Sequence, residues 1–241
     1  MALPKIDTPT YELKLPVSKK KIKFRPFLVK EQKNLLMAME SNEGEDVQRA
    51  VKDILNNCTL TDNVNIDVLP IVDIEYYFIN LRARSVGEVV DSKYKCTNIV
   101  DNKECGGLME HKLNLLDMKI EMNEEVGPEI KLDDKLTIKF KYPEFGFIKN
   151  FSKYDNANDL TFALIAQSIE WVYDGEQYYY AKEQTTKELQ DFIESMRQDQ
   201  FNQVEKFFTN LPRLKQTIRM KCGKCGFDHN IDVEGLESFF G

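Results

Sequence analysis

Five cysteines and two histidines are the residues in this chain best suited to bind something, and four of the cysteines come in pairs. Cys96 and Cys105 enclose TNIVDNKE, whereas Cys222 and Cys225 enclose only Gly-Lys. The surroundings of the two pairs match. YKC leads into the first, and CGG then His111 leads out; MKC leads into the second, and CGF then His229 leads out. Each stretch reads as a strand that delivers one thiolate, a turn, and a second thiolate followed by glycine and a returning strand. The glycine permits a left-handed turn that aims backbone N–H groups at the sulfur. Four thiolates in a tetrahedral array satisfy Zn2+ without an open position, so the site expected here is structural and not catalytic.

Three other readings of the same residues are weaker. A redox Cys-x-x-Cys usually opens a helix, and this one sits between strands. Unliganded cysteines pack as small hydrophobes, which is the expectation for Cys58 on a helix. His111 or His229 could each replace one thiolate, although a role beside the ligands fits their position better.

The thiolates need elements to present them. Val89 to Cys96 reads as a strand into the first pair. His111, Leu113 and Leu115, then after a slip Met118 and Ile120, read as its return. Leu214 to Lys221 leads into the second pair, and Asn230 to Val233 leads out. Upstream, alternation at Tyr11, Leu13 and Leu15, then Ile22, Phe24 and Pro26, predicts a β-hairpin turning at Pro16 to Lys20. Lys19, Lys20, Lys21, Lys23 and Arg25 make its second arm basic, either a solvated face or a docking arm for an acidic partner.

Helical spacing follows: Val29, Leu35, Leu36 and Met39; Val47, Val51, Ile54 and Leu55; then Leu69, Val72, Tyr76, Ile79 and Leu81, ended by Gly87. Pro70 suits the first turn of the third helix. KLTIKFKY (135–142) alternates as a strand. A helix from Asn158 or Asp159 is expected to carry Leu160, Ala163, Leu164, Gln167 and Trp171, ahead of a tight turn at Asp174-Gly175. A second helix opens with the capping box Thr185–Glu188 and is expected to run unbroken to about Asn210.

The fold expected is α+β: an amino-terminal hairpin over 1–28, a helical segment over 29–87, and a split zinc ribbon over 88–241 carrying a helical insertion at about 143–212. A ribbon assembled across that insertion would staple the middle of the chain to its later part.

Composition narrows the function. The 33 basic and 40 acidic side chains give a net charge of −7, against the basic surplus of a dedicated nucleic-acid binder. No apolar run approaches the roughly 20 residues that span a bilayer. The opening MALPKIDTPTYELKLP lacks a signal-peptide core, so a reducing cytoplasm is expected, where closely spaced cysteines point to metal. Catalysis is poorly provided for. Both histidines sit beside the knuckles, no Gly-rich phosphate loop or nucleophile elbow is present, and the acidic pairs Glu124-Glu125 and Asp133-Asp134 read as loop.

Four segments in order, INLRARSVGEVV, IEWVYDGEQYY, ELQDFIESMRQDQFNQVEKFFTNLPRL and KCGKCGFDHNIDVEGLESFF, carry a resemblance over roughly residues 11–241. The chain resembles the baseplate hub assembly protein family of T-even-like contractile-tailed phages. The resemblance implies a late protein needed to build the central hub of the tail baseplate, either retained in the virion or acting as an assembly chaperone in the host cytoplasm. It brings other hub and tail proteins as partners, no catalytic residues, and only the four cysteines as a site.

The residues themselves fit an interaction protein. The ten tyrosines, Tyr178 to Tyr180 among them, offer amphipathic contact area, and homo-oligomerisation is left open. Leu236, Phe239 and Phe240 either fold back onto the ribbon or the Phe207-Phe208 pair, or anchor another subunit. The competing class is a zinc-ribbon nucleic-acid-binding or transcription-related module, with Lys215, Arg219, Lys221 and Lys224 as its basic patch. Asp228, Asp232, Glu234 and Glu237 close by oppose phosphate binding.

Overall fold

A computed structural model of the chain describes residues 6–41, 43–123, 125–154 and 156–235, without the side chains of residues 150–152. The aromatic tail with Leu236, Phe239 and Phe240 lies outside the described residues, as does Glu124. The fold is α+β, with six α-helices and several small antiparallel sheets among the described residues. The chain divides into two compact units: one of residues 1–64, 72–121 and 213–241, the other of 65–71 and 122–212.

The first unit opens with the expected hairpin, β1 (Tyr11–Lys14) against β2 (Lys21–Phe24), with Tyr11 opposite Phe24. Alternation buries Ile22 and Phe24 on one face and leaves Lys21 and Lys23 exposed on the other. Helices α1 (Val29–Glu40), α2 (Gly44–Cys58) and α3 (Ile71–Ser85) follow. Helix α2 buries Ala50, Val51, Ile54, Leu55 and Cys58, the stripe that its spacing predicts. Helix α1 buries Glu31 and Leu35 and leaves Val29 and Leu36 exposed, so its apolar residues do not all face the core. Pro70 stands just ahead of α3 and not in its first turn.

Helix α3 holds the hairpin at both ends. The carboxylate of Asp73, fully buried, accepts hydrogen bonds from the N–H groups of Val17 and Ser18 at 2.8 Å each. At the other end Ser85 Oγ accepts from the Phe27 N–H at 3.0 Å. The basic run is also partly consumed inside the fold. Arg25 pairs with the buried Glu31 at 3.1 Å, and Glu31 in turn accepts from the Leu28 N–H at 2.7 Å. Burial raises the Glu31 pKa, but the Leu28 N–H and the Arg25 guanidinium outweigh it and hold the carboxyl below its usual value.

Gly87, at φ +130°, turns the chain from α3 into β3 (Val89–Lys95). A small ribbon of β4 (Ile99–Val100) and β5 (Lys103–Glu104) leads to β6 (Leu108–Asn114), which pairs with β3 from Val89↔Asn114 to Lys95↔Leu108. The predicted slip after Leu115 is a 3-10 turn at Leu115–Asp117, and the chain resumes as β7 (Lys119–Glu121).

The second unit contains β8 (Glu129–Lys131), β9 (Thr137–Phe140), α4 (Ala157–Ser168), β10 (Ile169–Tyr173), β11 (Tyr178–Tyr180), α5 (Thr186–Glu194) and α6 (Gln198–Thr209). Its sheet runs β11-β10-β9-β8. Two expectations are corrected here. Trp171 is not on the helix, because α4 ends at Ser168 and the β-branched and aromatic run IEWVY continues as strand β10. The long helix to Asn210 is two. Ser195 caps α5, and the Arg197 N–H, donating to Gln200 Oε1 at 3.1 Å, opens α6. The Thr185–Glu188 capping box is present as expected, and helix spacing continues in phase across the break, which hides it. Phe207 and Phe208 of α6 pack on Phe140 of β9, with ring centroids 5.6 and 5.3 Å apart. Asp133 is a turn residue: its Oδ1 accepts from the Lys135 and Leu136 N–H groups and its Oδ2 from the Gln200 amide.

The chain returns to the first unit as β12 (Arg213–Lys221) and β13 (Asp228–Glu234). β12 pairs with β13 on one side and with β7 on the other, placing Arg213 opposite Glu121. The insertion therefore leaves and re-enters at neighbouring positions. One core joins Val72, Ile79 and Ala83 of α3 to Val90, Leu113, Leu115, Met118, Leu214, Ile218 and Val233.

Replacing Asp73 with Ala strands two backbone donors. It should lower unfolding free energy by about 2–3 kcal/mol, with Asp73→Asn losing less. Amide exchange at Val17 and Ser18 should quicken ahead of exchange in α3, and unchanged protection there would contradict this role.

Candidate metal centre

The hairpins β3/β6 and β12/β13 bring Cys96, Cys105, Cys222 and Cys225 together, although Cys96 and Cys225 lie 129 positions apart in sequence. All four sulfurs lie within 4.8 Å of one another. Cys96 and Cys225 Sγ are 3.6 Å apart, and Cys105 and Cys222 Sγ 3.8 Å. A tetrahedral ion at a Zn–S distance of about 2.3 Å would set sulfurs about 3.8 Å apart, whereas a disulfide would need about 2.0 Å. The separations fit a shared cation.

The two knuckles repeat one geometry. The Gly106 N–H donates to the Cys96 carbonyl at 3.0 Å, and the Gly226 N–H donates to the Cys222 carbonyl at 2.8 Å. These glycines have φ of +63° and +74°, the left-handed conformation for which glycine is suited. The Cys96 N–H donates to the Gly107 carbonyl, and the Cys222 N–H to the Phe227 carbonyl, closing both turns alike. Each sulfur also receives the backbone N–H two residues on: Asn98 for Cys96, Gly107 for Cys105, Lys224 for Cys222 and Phe227 for Cys225.

The electrostatics follow from this cage. The Phe227 N–H, helped by the Asn98 amide, outweighs burial and brings the Cys225 thiol down to about 6. The Cys225 and Lys224 N–H groups lower Cys222. Burial pushes Cys96 up to about 12. At Cys105 the Gly107 N–H pulls the thiol down, but burial and the Cys225 and Cys222 sulfurs outweigh it and leave the thiol raised. The two low thiols are the ones whose N–H donors win, and the two high ones are raised by burial together with repulsion from neighbouring sulfurs. A bound cation removes that repulsion and favours all four thiolates.

His229 is no member of the cluster, but its Nε2 lies 3.1 Å from Cys96 Sγ, beside the ligand set. His111 sits on β6 opposite Ser92, outside the cluster. Cys58 is fully buried at the end of α2, and burial pushes its thiol up to about 11. Three supporting residues were missed in the sequence. Asn98 Nδ2 points at Cys225 Sγ at 3.7 Å, Lys224 Nζ donates to the Cys105 carbonyl at 2.6 Å, and Gly107 lies against Cys222. Only the second glycine of CGG hinted at any of them. The basic patch is depleted accordingly: Lys224 turns to that carbonyl and Lys215 pairs with Asp232 at 2.8 Å.

The fold and site define an α+β protein tied at one end by four clustered cysteines, and no helix among the described residues is long and apolar enough to cross a membrane. The chain matches the model of the family described as T4 bacteriophage base plate protein over residues 8–241, and it belongs to that family. It is 27% identical over 231 residues to the baseplate hub assembly protein gp26 of Enterobacteria phage T4, covering 95% of this chain and 97% of that protein. No solved structure matches.

A Cβ at Gly107 would lie 2.7 Å from Cys222 Sγ and 3.1 Å from Lys224 Cβ. Gly107→Ala should therefore push Cys222 out of the cluster and destabilise the protein by about 1–3 kcal/mol. Gly127→Ala, whose Cβ meets nothing, is the control. Equal thermal midpoints for the two variants would refute this.

Proposed function

We propose that this protein acts in building the tail baseplate hub of a contractile-tailed phage, through contacts with other hub and tail proteins and without catalysis. The observation that carries this reading is the relationship to a baseplate hub assembly protein along nearly the whole of both chains. On this reading the protein works in the host cytoplasm during assembly and has its place at the tail baseplate of the virion.

Within that role, Cys96, Cys105, Cys222 and Cys225 hold a structural Zn2+. Four sulfurs at tetrahedral spacing, each with an N–H donor, suit a closed site with no position for substrate. When bound, the ion supplies folding free energy by tying β3/β6 to β12/β13. The chain's own residues do the rest: the N–H groups stabilise negative sulfur, and His229 and Asn98 steady Cys96 and Cys225. The nucleic-acid reading ranks below this one, because Lys215 and Lys224 are engaged within the fold.

Co-expression with the neighbouring hub and tail proteins should yield a stable complex. Recovery of none, with the protein folded, would sink the assembly reading. Separately, native mass spectrometry should find one zinc per chain, lost in Cys96→Ser and Cys222→Ser. Chelation should cost several kcal/mol of stability, with amide protection falling first in β3, β6, β12 and β13. A metal-free protein of full stability would exclude the zinc site and leave the assembly reading standing.

A further inference from the structure

The second unit's sheet has two edges of opposite character. At one edge, β8 reads Glu-Ile-Lys, and charged residues of this kind discourage further pairing. At the other, β11 reads Tyr-Tyr-Tyr, with the three residues 52%, 39% and 42% exposed. No strand among the described residues pairs with its outer side. Behind this edge lies an ordered aromatic surface. Tyr178 stands edge-on to Trp171 at 5.1 Å, 4.7 Å from Tyr173 and 6.2 Å from Tyr180, all on the face set by the register Trp171↔Tyr180 and Tyr173↔Tyr178. Lys182 Nζ sits 5.3 Å from the Tyr180 ring centre and closes one end of the strip. The turn at the other end is fixed by Asp174, whose Oδ1 accepts from the Glu176 and Gln177 N–H groups at 2.9 Å and whose Oδ2 accepts from the Tyr179 hydroxyl at 2.9 Å.

We propose that β11 is the interface at which two copies of this chain associate, edge to edge and antiparallel about a two-fold axis at Tyr179. The sequence around that axis is self-complementary. With Tyr179 on the axis, Tyr178 of one copy faces Tyr180 of the second. Two residues further out, Glu176 faces Lys182 of the second copy, and Lys182 faces its Glu176. A two-fold interface uses each such pair twice.

The register is also the one that the pleat allows. A slip by one residue would set the aromatic face of one sheet beside the inner face of the other. A slip by two towards the carboxyl end would face Tyr178 with Lys182 and Glu176 with Gln184. In the proposed register the strip Trp171–Tyr180 continues into Tyr178–Tyr173 of the second copy without a break. The chain enters a 3-10 turn at Ala181–Glu183, so backbone pairing ends at Tyr180 and Lys182 reaches Glu176 through its flexible stem. Lys182 and Glu176 are both exposed, and besides its place over the Tyr180 ring Lys182 has a long 4.0 Å contact with its neighbour Glu183. Three residues of strand make a short seam, so the association is weak and concentration-dependent.

The inference does not depend on the metal centre or on the assembly reading, and a charge swap tests it. Sedimentation of the full chain between about 10 μM and 500 μM should show a monomer–dimer equilibrium. Glu176→Lys alone and Lys182→Glu alone should each weaken it about tenfold, because each sets like charges opposite one another twice. An equimolar mixture of the two single variants should regain the dimer as a heterodimer, since both pairs are then attractive. The double variant should regain it as a homodimer. A chain that stays monomeric throughout the range overturns the proposal. So does a dimer indifferent to either single variant, or one that mixing and the double variant both fail to restore. Both positions are exposed, and circular dichroism superimposable on that of the parent confirms that folding is not what changed.

Discussion

Sulfur that carries negative charge resists being crowded, and the first unit is organised around meeting that constraint. Four cysteines converge from two hairpins to within 4.8 Å, a distance at which four thiolates in a dry interior would drive the hairpins apart. The structure answers with dipoles. Every sulfur has a backbone N–H from two residues on, and the positive φ of Gly106 and Gly226 belongs to the turns that bring those groups round. The apolar material at this end is slight, with Met109 buried and Tyr94 and Met220 partly so. Packing alone therefore gives the hairpin tips little reason to meet, and the four sulfurs with their N–H donors are the main contact between them. Their other ends join the apolar core that α3 makes with β3, β6, β12 and β13.

Much of this was legible in the residues. The two knuckles announce themselves because the chemistry is local: cysteine, glycine and alternating strand recur in the same order, and the structure brings all four thiols together. The amino-terminal hairpin, the stripe on α2, the Asp174-Gly175 turn and the Thr185–Glu188 box were equally local and equally readable. What escaped was decided by tertiary context. Nothing in the spacing of Leu160, Ala163, Leu164 and Gln167 says that Trp171 has left the helix; only the β-branched and aromatic run IEWVY hints at it, and its pairing with β9 is not visible in the sequence. The break at Ser195–Arg197 leaves the apolar period in phase. Asp73 reads as an ordinary first-turn acid, and its service to Val17 and Ser18 is visible only once those residues lie beside it. Asn98 and Lys224 escaped for the same reason, since their partners belong to the opposite knuckle.

The insertion illustrates how a long excursion is accommodated without loosening the unit that carries it. β7 and β12 pair directly, with Glu121 opposite Arg213, and Asn123 donates to the Asn210 side chain at 3.1 Å just inside the second unit. The backbone of the first unit on either side of the insertion is thus spent on sheet hydrogen bonds. Each unit keeps its own core, α3 with its sheets in one and α6 against β9 and β10 in the other.

The separation of Cys96 and Cys225 by 129 positions also has a meaning in time. At about 5–20 residues per second, translation takes on the order of ten seconds to pass from one to the other. Throughout that interval the first knuckle exists without its complement. Cys96 and Cys105 are then a two-sulfur half-site in a nascent chain, open to oxidation or to capture of an ion that they cannot fully enclose. The second unit can collapse meanwhile, since its residues from Met122 to Pro212 all emerge within the same interval. The order of synthesis thus makes the cluster's second pair available only after nearly all of the insertion has been made.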